Sequence, residues 1–531
     1  MQYLQIHQPT HAFYKVLLKK RILRVCAVLA SCGMLCAAAG AVQAMPGIPL
    51  SPDSRYSLEH GGIQLYQSRD KQTRLTLGGV ILARYEYWQW FAAPADKNEY
   101  SYGFQRTRLA LRLTSPNVNI LIEPQYVHMV GLPDDAVSCP PQGPLGMGGL
   151  YYLHNKRTDP YSLGFHQAYL QLHDLLHRDL SLKAGRFAYS DGLEAVSESD
   201  GVKFNILKNM RLSDRLISTF DWSAFARSFD GALLAYANSR MQFTASLLYP
   251  TQGGWYKRFN ERIGDIRIIA ATVTAKRGAL LPGAECAGFY YHYRDKRKVT
   301  QRIDNCGSAL CPDGVDIAIH MLGGRLLGLY SLGPGQLDVL AWGGVQFGDW
   351  YDLDHKAFAF DCEAGYQFTG VAWKPWLRTG YYIGSGDDDP GDGDHGTFFQ
   401  MAPGTRKYEL LPFYDLMNVK DLFFQLIIKP LKRMTVRTEL HCIRLAESRD
   451  RWYMGSGPTK EHGCIFGYLA RPTNGQKDLA RELDIITDIA VNRHCRLFFS
   501  YSHIFGGDVV SKIYTSHHDA DFFSVEVRLK F

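Results

Sequence analysis

Phe523-Ser524-Val525-Glu526-Val527-Arg528-Leu529-Lys530-Phe531 is the stretch whose reading decides the fold. Phe523, Val525, Val527, Leu529 and Phe531 are apolar, and Ser524, Glu526, Arg528 and Lys530 between them are polar. Side chains alternate faces along a strand, so one face of this segment suits an apolar solvent and the other suits water. The same alternation recurs upstream. Candidate strands lie near 73–90, 101–114, 119–129, 163–174, 179–188, 228–237, 241–249, 266–275, 284–293, 316–330, 335–347, 356–367, 370–383, 420–429, 433–446, 480–491, 496–505 and 522–531. Short turns such as Ser115-Pro116-Asn117, Asn238-Ser239-Arg240, Gly333-Pro334-Gly335 and Asn492-Arg493-His494 fall on one side of this array. The long connections 131–160, 190–227, 384–418 and 447–479 fall on the other. An even strand count with this asymmetry is the pattern of a transmembrane antiparallel β-barrel, with short periplasmic turns and long extracellular loops.

Composition agrees. The chain of 531 residues holds 31 Tyr, 28 Phe, 9 Trp and 50 Gly, as expected of many strands and turns. Lys15, Lys19, Lys20, Arg21 and Arg24 precede an apolar run from Val25 to Val42, and Val42-Gln43-Ala44 has compact residues at its cleavage positions. Residues 1–44 therefore read as a signal peptide. A retained anchor and a lipoprotein box at Leu29-Ala30-Ser31-Cys32 are the alternatives; the residues after Cys32 stay apolar, against the second. Residues 45–72 read as a short periplasmic segment and 73–531 as the barrel. Removing the signal's five basic residues from the chain's 59 Lys+Arg leaves 54 against 52 Asp+Glu, a net of +2. A general nucleic-acid reading loses its support with them. Beyond Val42 no apolar run reaches the length of about 18 residues that a helical span needs, which leaves the closed barrel as the membrane-spanning solution. The terminal Phe531 resembles the signal read by the bacterial barrel-assembly machinery, so that machinery and outer-membrane lipid are the expected partners of a monomer in a Gram-negative outer membrane.

A charge on the lipid face near the midplane costs about 2–4 kcal/mol, so charges within strands are expected to point inward. Arg106, Arg108 and Arg112 share one face of the second strand, with Arg84 and Glu86 on the first. Glu123 stands across a tight turn from Arg108 and Arg112. Arg433, Arg437, Glu439 and His441 share a face, as do Glu482, Asp484 and Asp488, and Glu526, Arg528 and Lys530. Arg267 and Arg378 are further candidates. Such groups either brace the wall through opposed Arg and Glu rows or line a conduit for anions, since the guanidinium fork matches a carboxylate. The loop 190–227 is the best candidate for folding inward; the alternative is that it covers the mouth outside.

Five stretches resemble the alginate export proteins of the Gram-negative outer membrane. They are Ala184-Gly185-Arg186, Arg227-Ser228-Phe229-Asp230-Gly231, Ser385-Gly386-Asp387-Asp388-Asp389-Pro390, Glu482-Leu483-Asp484 and Ser500-Tyr501-Ser502-His503-Ile504-Phe505-Gly506-Gly507, in that order. The resemblance implies eighteen strands around an electropositive, arginine-rich pore, which in the best-known members passes the polyuronate alginate. Phe187 stands where a Gln often follows the Gly-Arg pair, and the Cys-containing loops 131–150 and 294–314 look peculiar to this chain.

Asp387, Asp388, Asp389, Asp392 and Asp394 crowd one external loop and could hold a structural Ca²⁺, which takes six to eight oxygens; a solvated acidic loop is the alternative, and no other cofactor is expected. Cys306 and Cys311 could close a small ring in an oxidising compartment, and His517 and His518 lie beside Asp519 and Asp521. No Gly-x-Ser-x-Gly elbow, His-Glu-x-x-His, phosphate loop or dinucleotide fingerprint occurs, so no enzyme is expected. The expected function is passive passage of an anionic, carboxylate-bearing solute or polysaccharide. Two alternatives remain: a small-solute porin whose arginines only brace the wall, and a plugged barrel acting as an enzyme or surface-binding protein.

Overall fold

A computed structural model describes residues 62–195, 200–299, 302–306, 314–404 and 407–531. The expected signal peptide, residues 1–44, and most of the expected periplasmic segment 45–72 lie outside them. Among the described residues one sheet gathers 20 strands. Two are short attachments, Ile63–Gln67 and Asp394–His395; the other eighteen close a barrel.

In chain order the barrel strands are β1 (Arg74–Gln89), β2 (Glu99–Thr114), β3 (Val118–Val130), β4 (Tyr161–Leu172), β5 (Leu180–Phe187), β6 (Phe229–Ala237), β7 (Met241–Pro250), β8 (Ile266–Ala275) and β9 (Ala284–Asp295). Then come β10 (Ile317–Leu332), β11 (Gly335–Trp350), β12 (Leu353–Phe368), β13 (Trp376–Gly384), β14 (Val419–Leu431), β15 (Met434–Leu445), β16 (Asp478–Ala490), β17 (Cys495–Gly506) and β18 (Ala520–Lys530). Each matches a strand expected from alternation. The largest shift is at β13, expected from 370 but starting at Trp376: Trp373 and Lys374 have φ of 62° and 47°, and Pro375 has no N–H to donate.

Closure runs through β1, which pairs with β2 on one edge and β18 on the other, from Val80 opposite Lys530 to Gln89 opposite Asp521. Below Phe531, Ile63–Gln67 pairs with Leu77 down to Arg74 on the same edge of β1. It thereby covers backbone groups that the staggered end of β18 leaves open, as an edge strand requires. Outward residues such as Leu163 (71 % exposed), Phe424 and Leu440 form the apolar exterior, and the strand neighbours of Phe424 and Leu440 are buried inward. No described helix is long and apolar enough to cross a membrane.

Gly185 of β5 lies directly opposite Gly231 of β6. Gly185 has φ of 124°, and a Cβ on Gly231 would sit 1.9 Å from the Leu247 carbonyl oxygen. Beside them Arg186 grips Asp230 with two parallel contacts of 2.7 and 2.8 Å. Two of the quoted motifs thus meet across one strand pair, where only glycine allows the backbones so close.

Candidate functional site: the charged interior

The inner face of β2 reads Tyr100, Tyr102, Phe104, Arg106, Arg108, Ala110 and Arg112. Arg106 and Arg108 are consecutive on that face. Ala110 separates them from Arg112, so the arginine row is interrupted rather than even.

The described residues of the segment after β5, 188–195 and 200–228, fold into the barrel. Asp221 carries its centre. Arg108 donates to Asp221 Oδ1 at 2.6 Å, and Arg106 lies 3.3 Å from Oδ2 while donating to the carbonyls of Asp221 and Ser223 at 2.9 Å. Arg84 donates to the Trp222 carbonyl at 3.0 Å and to Glu526 at 2.8 Å. Gln125 joins the two walls, accepting from Arg108 at 2.6 Å and donating to the Phe225 carbonyl at 2.9 Å. Burial pushes the Asp221 carboxyl up, but Arg106 and Arg108 outweigh it and hold the group well below the usual carboxylate range.

The far end of the segment crosses to the opposite wall. Arg211 makes a two-pronged contact with Glu363 of β12 at 2.7 and 2.9 Å. Arg215 contacts Asp361 and donates to Tyr408 at 2.6 Å. Lys208 pairs with Glu285 of β9 at 2.5 Å, and Glu194 with Arg325 of β10 at 2.8 Å. Two other long loops enter as well. Arg227, fully buried, donates to the carbonyls of Ala402 at 3.0 Å and Ser456 at 2.6 Å, and so ties the segment to the connections 385–418 and 446–477.

A cavity of about 460 Å³ remains beside the inward segment. It reaches from Asp221 and Thr219 down to Arg112, Ala237 and Gln242, next to the short turns. Its charged lining is Arg106, Arg108, Arg112, Lys183 and Arg528 against Glu123, Glu194 and Asp221.

Most of the residues singled out in the sequence do point inward. Arg378 of β13 contacts Asp338 and Glu363, both at 2.9 Å. Arg437 lies 3.2 Å from Glu439, Arg528 contacts Glu526, and Asp488 accepts from Arg496 at 3.1 Å. Glu86 accepts from Trp88 at 2.9 Å and Tyr102 at 2.5 Å. Lys530 ends the inner row of β18 near the short turns. Glu482 and Asp484 accept from the amides of Leu411 and Leu410 at 3.2 and 2.7 Å.

Two expectations need correction. Arg267 faces outward: it is in phase with Ile269, Ala271 and the exposed Val273, whereas Thr272 faces in. It sits at the external end of β8, opposite Arg294, where a charge stands above the apolar band and meets the headgroup zone at little cost. Arg433 is in phase with the inner row but lies beyond the strand, exposed in a short turn, where it donates to the Val491 carbonyl. Glu123 lines the same cavity as Arg108 and Arg112, and its direct contacts come from His166 of β4 at 2.7 Å and Gln167 at 3.2 Å.

In the acidic loop, Asp387, Asp389 and Asp392 accept from the amides of Asp389, Gly391 and Asp394, and Asp394 pairs with Lys356 at 2.9 Å. Among the described residues the Asp387 to Asp394 carboxylates do not gather three oxygens at one point, and Asp388 makes no exception. Cys311 lies outside the described residues, and so does its pairing with Cys306. His517 and His518 contact Gln89 and the Tyr514 carbonyl.

Sequence reading missed Asp221, Glu363, Asp361 and the loop cations Arg211 and Arg215, and it named Arg227 only within a family stretch, with no role in the interior. One signal was available: Asp361 and Glu363 alternate with apolar residues on β12 and need cations, and the longest candidate for folding inward carries three arginines.

A search of curated proteins returns no match. Solved outer-membrane proteins share the fold at low identity. Acinetobacter baumannii OccAB1 is 9% identical, with 86% of this chain and 97% of that chain covered and a TM-score of 0.52. Pseudomonas aeruginosa OccK1 (OpdK) is 9% identical, with 86% and 99% covered and a TM-score of 0.50. The same protein solved with vanillate is 8% identical, again with 86% and 99% covered and a TM-score of 0.50. A family model described as alginate export matches residues 88–522. That match runs from the first barrel strand to the last, and the chain belongs to the alginate export family.

Proposed function

We propose that this outer-membrane barrel is a channel for anionic, carboxylate-bearing solutes, of which a polyuronate such as alginate is the family's example. The cavity carries this reading: five cationic side chains against three carboxylates line the open space beside the inward segment. Arginine stays charged and offers a planar fork to a carboxylate. Acidic neighbours weaken each grip, so an anion is attracted without being captured. One similar protein was solved with vanillate, itself a carboxylate. Passage through this chain requires the segment 188–228 to shift, because Arg106 and Arg108 are occupied by Asp221.

A second reading is a plugged barrel that binds at the surface. The buried pairs Lys208–Glu285, Arg211–Glu363 and Glu194–Arg325 favour it, since they anchor the segment at several points. Conductance in planar bilayers under a salt gradient decides between them. A channel of this kind gives discrete openings and a reversal potential on the anion side. Silence at all voltages would favour the plug, and a reversal potential at zero would leave the arginines as wall braces.

A further inference from the structure

β15 and β16 are paired so that Glu439 stands directly opposite Asp484, and His441 directly opposite Glu482. Like charges directly across a strand pair repel, and all four residues are buried in the inner wall, His441 at 1 % exposure. The ligand atoms of Glu439, His441 and Asp484 all lie within 4.8 Å of one another.

The hydrogen bonds around them leave one side open. His441 uses Nδ1 to donate to Asp421 Oδ2 at 2.9 Å, and its buried Nε2 has no partner. Asp484 gives Oδ2 to the Leu410 amide and leaves Oδ1 without a partner. Glu482 gives Oε1 to Leu411 and Ser502 and leaves Oε2 without one. The two nearby cations lie on Glu439, Arg437 at 3.2 Å and Arg211 at 3.8 Å. Among the described residues, no Lys or Arg nitrogen comes within 4.0 Å of Asp484 or Glu482. The cluster therefore brings a histidine and two carboxylates together in a buried place, with an unpartnered nitrogen on His441 and an unpartnered oxygen on Asp484.

We infer that Glu439, His441 and Asp484 bind one divalent transition-metal ion of the zinc class, with Glu482 as a neighbouring oxygen donor. An imidazole nitrogen with carboxylate oxygens suits such an ion better than calcium or magnesium, which prefer oxygen alone. Asp421 on Nδ1 is the outer partner that fixes the tautomer and aims Nε2 at the metal. The loop carrying Leu410 and Leu411 hangs on the same carboxylates, so the ion would fasten that loop to the wall.

The test uses the full chain, refolded into detergent with Co²⁺ so that the buried site can fill, and protein purified from membranes for metal content. One equivalent of Co²⁺ per barrel is expected, with visible bands lost on adding Zn²⁺ and X-ray absorption showing an imidazole in the shell. His441→Ala and Asp484→Asn should abolish uptake, whereas replacing the five loop aspartates by Asn should leave it unchanged. Folded wild-type protein that takes up no metal overturns the inference without recourse to any variant. Uptake that follows the loop aspartates, or a shell of oxygen alone, overturns it too.

Discussion

Asp221 Oδ1 lies 2.6 Å from an Arg108 terminal nitrogen, so a carboxylate of the chain's own inward segment already occupies that guanidinium, and on the proposed anion-channel reading it competes there with a passing anion. Asp221→Asn removes that internal competitor with almost no change of shape. Anion preference, read from the reversal potential under a salt gradient, should rise, and openings should become more frequent. The sign of the pH dependence follows from the depressed Asp221 pKa. Its stabilising contribution is present above the unfolded carboxylate value and is lost only as pH falls towards the folded one. Wild-type closure through this contact should therefore be constant from pH 5 to 8.

Glu363 serves Arg211 at 2.7 Å and Arg378 at 2.9 Å, all three side chains being buried. Removing one partner of a buried pair costs about 3–5 kcal/mol, because the other charge stays buried. Glu363→Gln should loosen the far end of the inward segment by about that amount. Limited proteolysis between residues 200 and 227 checks it, and unchanged protection would show that Asp361, Asp338 and Glu439 suffice.

Arg267 and Arg294 face each other on the outside of β8 and β9. Replacing both by Gln should leave reversal potential and conductance as in wild type. A loss of anion selectivity would place one of them in the conduit after all.

The wall was legible because each strand repeats with period two against lipid, and an exposed residue such as Leu163 or Phe424 marks its face unmistakably. Arg267 broke the rule that charge points inward because that rule weakens at strand ends, above the apolar band. The interior was less legible. Arg211 and Glu363 are 152 residues apart, and no local pattern says that they meet. Glu439, His441, Glu482 and Asp484 were each readable as inward-facing. Their convergence depends on the register between β15 and β16, which are joined by a long loop that does not dictate it.

Asp450 joins two of the inward loops. Its carboxylate accepts from Thr397 and Tyr453 at 2.6 Å and from the Asp387 amide at 3.0 Å. Burial pushes its pKa up to about 6, against hydrogen bonds that pull it down. A raised acid binds more protons folded than unfolded, so its burial cost is full above about 6 and is relieved as pH falls towards 4. Protection of the loops 385–404 and 446–477 from protease should increase over that window, and Asp450→Asn should remove the dependence. Protection that weakens on acidification would show that another group governs these loops.

Arg108 and Arg112 share the inner face of β2 but differ in what surrounds them. Arg108 is neutralised by Asp221 and held by Gln125. Arg112 lies at the edge of the cavity, and among the described residues no carboxylate oxygen comes within 4.0 Å of it. Charges in a water-filled space attract by only about 1 kcal/mol at 4 Å, so an already paired cation adds little to the field that an entering anion meets. Arg112→Gln should therefore lower anion preference more than Arg108→Gln does, although neither removes a hydrophobic contact of the wall. The Arg108 variant should instead release Asp221 and change how often the channel opens. Reversal potentials and open probabilities of the two single variants separate these effects. Equal losses of selectivity would mean that Asp221 does not stay on Arg108 in the conducting state, and a larger loss for Arg108→Gln would place the selective step at the inward segment itself.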